Sequence, residues 1–143
     1  MILNGITVVL CGKRGDVKGA TIAWASKVEK DHVMVSLPVE AALTDYVISK
    51  KIFSLNVLGK DQSEIARQYG GSKQSTSLPR RGEDLDYGNW STPVIRNCRA
   101  NFLCSSIQEI PIKEQVVIIA EIVEYKFTDS IVPLTYDHGE YFD

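Results

Sequence analysis

The chain predicts a mainly β protein, an antiparallel barrel with two short helices, and three observations carry that expectation. Six or seven short runs rich in β-branched residues are separated by Gly, Pro, Asn and Asp, the residues that turn a chain back on itself. Only two stretches read as helical, and both are short. No G-x-G-x-x-G occurs, which rules out a Rossmann dinucleotide fold. Closing such strands into a barrel removes the edges that an open sheet would expose.

Taken in order, residues 5–11 form a buried first strand, and Gly12-Lys13-Arg14-Gly15-Asp16 is a turn by composition. A second strand is expected over 18–28. Its stretch 19–28 mixes Thr21, Ile22, Trp24 and Val28 with small residues. Such a strand lets its backbone approach a flat ligand while Thr21 and Ser26 offer hydrogen bonds; an ordinary half-buried strand would look the same. A third strand covers 32–37 and stops at Pro38. Residues 44–51 predict a short helix with Thr44 as N-cap and Lys50 and Lys51 at the end where the dipole favours cations. The N-terminus of that helix could meet a phosphate, or Thr44 could simply be a cap, and Asp45 in the first turn would repel an anion.

Residues 53–58 are a further strand. The next helix begins near Asp61, with Asp61 and Glu64 as a capping-box pair and Gly70 at C′. From 71 to 90 periodicity disappears, and Tyr87 and Trp90 either close a lid over a flat ring or pack this segment onto the barrel. A strand over 98–105 follows. The longest strand spans 116–127, and its first half is apolar on both faces, which suits a central strand or one covered by a second subunit.

At 143 residues the chain is expected to be one domain, 1–143. A net charge of −2 argues against a nucleic-acid binder. Neither a run of 18 apolar residues nor a signal-peptide start is present, so no membrane partner and a cytoplasmic location are expected. Cys11, Cys98 and Cys104 are an odd number without metal spacing. On one strand Cys98 and Cys104 would lie roughly 20 Å apart, too far for a disulfide. They read as buried small residues, with redox-active thiols as the alternative. His32 and His138 are isolated, so no metal site and no Ser-His-Asp or Cys-His constellation is expected. Any hard chemistry would belong to a cofactor.

The segments 19–28, Thr44, Phe53-Ser54-Leu55-Asn56-Val57-Leu58, Gln62 and the closing Pro133-Leu134-Thr135-Tyr136 to Tyr141 run resemble the flavin reductase-like family of FMN-binding split barrels. That family reads G-M-T-V-S-S-F, then a Thr, then F-x-V-N-V-L, and closes on P-L-x-Y-x-x-G-x-Y. The resemblance spans about 5–142 and is weakest over 71–90. It implies a Greek-key type split β-barrel binding FMN, with FAD less favoured, usually as a homodimer with flavin near the interface. It places Thr21, Ile22, Ala23 and Trp24 along the isoalloxazine, largely through backbone groups. Ser26 and Lys27 would reach the ribityl chain or phosphate, and Thr44 the phosphate. Where NAD(P)H-using members carry G-D-H, this chain has Lys113-Glu114-Gln115, which makes Gln115 the nicotinamide-side candidate. Ala42 also replaces a frequent Ser. Three functions follow: an NAD(P)H-dependent flavin oxidoreductase, a flavoredoxin-like electron carrier with a redox protein partner, or a split barrel without flavin that serves as a binding or structural module.

Overall fold

The computed structural model describes residues 5–22, 25–70, 85–88 and 90–134. Strands β1 (Thr7–Lys13) and β2 (Asp16–Ile22) form a hairpin whose tip is Arg14 and Gly15. Gly15 takes φ 84°, the left-handed conformation that a two-residue hairpin turn demands. At Gly12, φ is 127° and an added Cβ would lie 2.1 Å from the Asp16 carbonyl oxygen, so no larger residue fits.

The stretch 19–28 is a corner and not one strand. β2 ends at Ile22 as the partner of β1, whereas β3 (Ala25–Glu29) pairs with β4 (His32–Pro38). The chain changes partner here, and the two strands lie at opposite ends of the sheet. Ala23 and Trp24 fall outside the described residues. After β4 come α1 (Ala42–Lys50), β5 (Ile52–Val57), α2 (Ser63–Tyr69), the short β6 (Leu85–Asp86) and β7 (Val94–Ile95), and the long hairpin of β8 (Ala100–Ile112) and β9 (Gln115–Phe127).

Seven strands form one antiparallel sheet in the order β2-β1-β5-β8-β9-β4-β3. Its concave side closes on a core from every one of them: Val9, Ile22, Ala25, Val35, Phe53, Phe102 and Ile118, capped by Leu43 and Val47 of α1. Among the described residues β2 and β3 do not pair, so the barrel is split between them. A second core on the other side of β1 and β2 packs Val8, Leu10 and Val17 against Ala66 and Tyr69 of α2 and against Leu85, Ile95 and Cys98.

Several local expectations are corrected. α1 begins before Thr44, with Ala41 as an N-cap that supplies no side-chain bond. Pro38 ends β4 and the chain turns at once, so the helix starts three residues earlier than a Thr cap would put it. At α2 the Asp61–Glu64 box is not made. Gln62 takes its place: its Oε1 accepts from the Gly59 N–H at 2.8 Å and its Nε2 donates to the Arg96 carbonyl at 2.7 Å. Gly70 is extended (φ −93°, ψ −179°) instead of left-handed. Cys98 precedes β8 because Asn97 turns the chain at φ 62°, and this puts Cys98 and Cys104 in different cores. The first half of β9 alternates: Val116, Ile118 and Ala120 are buried, while Val117 and Ile119 are half-buried on the other face.

Candidate functional site

Strand register assembles the candidate site. Ser26 pairs with Met34, Ser36 with Val117, and Pro38 with Gln115. Val33, Val35 and Leu37 point into the core, as do Val116 and Ile118. The two-residue period of a strand therefore sends Ser26, Met34, Ser36, Gln115, Val117 and Ile119 to the outer face. Ile110 and Ile112 of β8 continue that face opposite Val117 and Gln115. Met34 and Ile110 are each 37% exposed and Ile112 54%. A short polar row thus lies in an apolar field. Within it Ser36 Oγ donates to Gln115 Oε1 at 2.9 Å, so the Gln115 NH₂ is presented outward from a fixed carboxamide.

The turn into α1 borders this face. The Val39 N–H donates to the Glu114 carbonyl at 2.8 Å, tying the turn to the tip of the β8–β9 hairpin. Thr44 is 1% exposed, and its hydroxyl donates to the Pro38 carbonyl at 2.5 Å. It holds the turn from behind. The Ala42 and Leu43 N–H groups lie in the first helical turn, where no intrahelical acceptor exists. Lys27 is exposed, next to Ser26 on β3.

Other expected site residues go elsewhere. Thr21 is buried and donates to the Ala66 carbonyl of α2 at 2.7 Å, and Ile22 lies in the inner core. Only their backbone could face a ligand. Arg14 stacks 4.2 Å over the Tyr87 ring, and Trp90 Nε1 donates to Glu124, so both aromatics hold their segment against the sheet. Burial pushes the Cys11, Cys98 and Cys104 thiols up to about 12, opposed at Cys11 only by the distant Lys50 charge. A thiolate nucleophile is disfavoured at each. His32 Nδ1 contacts Glu29 at 3.2 Å, and the Glu29 carboxyl is held below its usual range by the Asp31 N–H and then by His32.

Two features were missed in the sequence. Ser36 could have been found from the alternation of β4, since it shares parity with Met34 and faces Gln115 diagonally. The buried polar cluster of Ser54, Asn56 and Asn101 left no local signal. Asn56 Nδ2 donates to the Val8 carbonyl and Ser54 Oγ, and its Oδ1 accepts from the Ile95 N–H and from Asn101 Nδ2.

A seven-stranded antiparallel sheet wrapped round its main core and split between its end strands defines a split barrel. The chain belongs to the flavin reductase like domain family, whose model matches residues 2–143. It is 26% identical over 130 residues to an NADPH-flavin oxidoreductase of Streptomyces viridifaciens, matching 85% of this chain but 65% of that protein. It is 23% identical over 140 residues to the reductase component of the FADH(2)-dependent resorcinol hydroxylase of a Rhizobium species, covering 95% of this chain and 78% of that one. Its fold resembles the Streptomyces globisporus NADH:FAD oxidoreductase SgcE6 solved with NAD and FAD fragments, with a TM-score of 0.79 at 19% identity over 91% of this chain and 78% of that one.

Proposed function

We propose that this protein is an NAD(P)H-dependent flavin oxidoreductase that holds FMN on the outer face of β3, β4 and β9. The observation that carries this reading is the convergence of Ser26, Ser36 and Gln115 on one apolar face beside the first turn of α1. That arrangement suits a flat, amphipathic ring with a phosphate tail. Exposed aliphatic side chains would cover the ring, and the Ala42 and Leu43 N–H groups would meet the phosphate. Ser26 and Lys27 would bind the linking chain or neutralise its charge. Backbone groups of Thr21 and Ile22 would edge the ring.

Flavin would supply hydride acceptance and donation. The protein's task is then positional. Gln115, fixed by Ser36, would donate its NH₂ to a nicotinamide carboxamide oxygen and hold that ring near the flavin face. An amide carries no titrating proton, so this contact works equally at every pH in the neutral range. Half-buried Val117 and Ile119 beside the exposed Met34 support a homodimer in which a second copy closes this face and excludes water.

One observation favours a second reading. Gln115 already accepts from Ser36, and His32, which shares the outer parity of β4, lies four residues before Ser36 against Glu29 and away from Gln115. A carrier that exchanges electrons with a protein partner would need neither. Fluorescence titration tests the shared claim: FMN should bind saturably, and Ser26→Ala with Met34→Arg should weaken it at least tenfold. Undiminished binding by that double variant would move the flavin off this face.

A further inference from the structure

We propose a second ligand site, for a small aromatic carboxylate, in the cleft between the 86–98 segment and the far end of β9. The cleft measures about 530 Å³, within the usual range for small-molecule sites. Trp90, Val94 and Ile131 give it apolar walls, and its polar groups are Asp86, Arg96, Asn97, Asn101, Lys126 and Thr128.

Each of the two carboxylates at hand already accepts a hydrogen bond: Asp86 Oδ1 from the Gly88 N–H at 2.9 Å, and Glu124 from Trp90 Nε1. Lys126 makes no ion pair or hydrogen bond among the described residues. It stands opposite Asn101 in the β8–β9 ladder and shares a face with Thr128 two residues on. An ammonium and a hydroxyl thus flank a fixed indole, a combination suited to a carboxylate carried on a flat ring.

The cleft is also built to hold its shape. Its floor is Asn101, which is 5% exposed and donates to Asn56 Oδ1 at 2.8 Å and to the Ile95 carbonyl at 3.1 Å. Arg99 pins the facing turn by donating to the carbonyls of Thr128, Asp129 and Ile131. Along β9 the cleft lies roughly 35 Å from Gln115 at ~3.3 Å per residue, so it is separate from the proposed flavin face and does not depend on it.

Benzoate is the probe, added to the full-length protein and followed by amide and indole N–H chemical shifts. The Trp90 indole N–H and the amides of 94–98 and 126–131 should shift saturably. Lys126→Gln should weaken binding about tenfold, the usual cost of one charged contact. Benzyl alcohol, equal in shape but neutral, should give no saturable shift, and bound flavin absorbance should not change. The proposal is overturned if benzoate gives no saturable shift, if Lys126→Gln or the neutral alcohol binds as well as wild type with benzoate, or if benzoate displaces flavin.

Discussion

Thr44 shows how local spacing can misassign the role of one side chain. A Thr ahead of a helical stretch reads as a cap, yet its hydroxyl reaches back six residues to the Pro38 carbonyl. Sequence spacing cannot show that bond, because it depends on how β4 stops and turns. Thr44→Val keeps the shape and removes the donor, so stability should fall by about 1–2 kcal/mol in denaturant unfolding. If the turn it holds carries the phosphate, FMN should weaken more than riboflavin. Equal weakening of both flavins would place the phosphate elsewhere.

The cysteines were legible as buried residues from their apolar neighbours, and the structure adds a number. With thiols near 12 against an ordinary 9.0, thiolate at pH 8 is about a thousandfold scarcer than in the unfolded chain. A disulfide exchange reagent at pH 8 should leave all three unlabelled in the native protein and label all three after unfolding. Because the folded values are raised, their contribution to stability is present below pH ~9 and is lost as pH rises towards 12. Fast native labelling would contradict this packing.

β6, β7 and residues 106–112 of β8 went unread in the sequence, whereas at the scale of elements both helices and the rest of the main sheet were readable because they follow period-two alternation or short helical runs. Their junctions were not. The change of partner between Ile22 and Ala25 looks like continuous strand because β-branched residues favour extended backbone on both sides of it, and only the pairing reveals the break. Residues 93–95 are similar: nothing local shows that Ser54 donates to the Pro93 carbonyl or that Asn56 accepts from Ile95. Asn56→Leu would strand the Ile95 N–H and the Asn101 amide inside the second core. The expected loss is about 3 kcal/mol, read as a lower denaturation midpoint. A change below ~1 kcal/mol would mean that this cluster does not fasten the segment.

For the whole molecule, the apolar run in β9 raised the right question, since its inner half fills the barrel and its outer half is incompletely covered. Which face remained uncovered became clear only from register. Light scattering should give a dimer of about twice 15.9 kDa. Ile119→Glu, placed on the outer face, should yield monomer and lose flavin together. A monomeric variant that keeps full flavin affinity would separate the interface from the site.

Anaerobic absorbance on the FMN-loaded protein, with NADH and NADPH added in turn, tests the central claim most directly. The proposed reductase should lose its visible flavin band with at least one nucleotide, and the rate should show no ionisation near the ~6.5 of histidine between pH 5.5 and 8.5. Flavin that stays oxidised with both nucleotides would contradict the reductase reading and leave the electron carrier in its place.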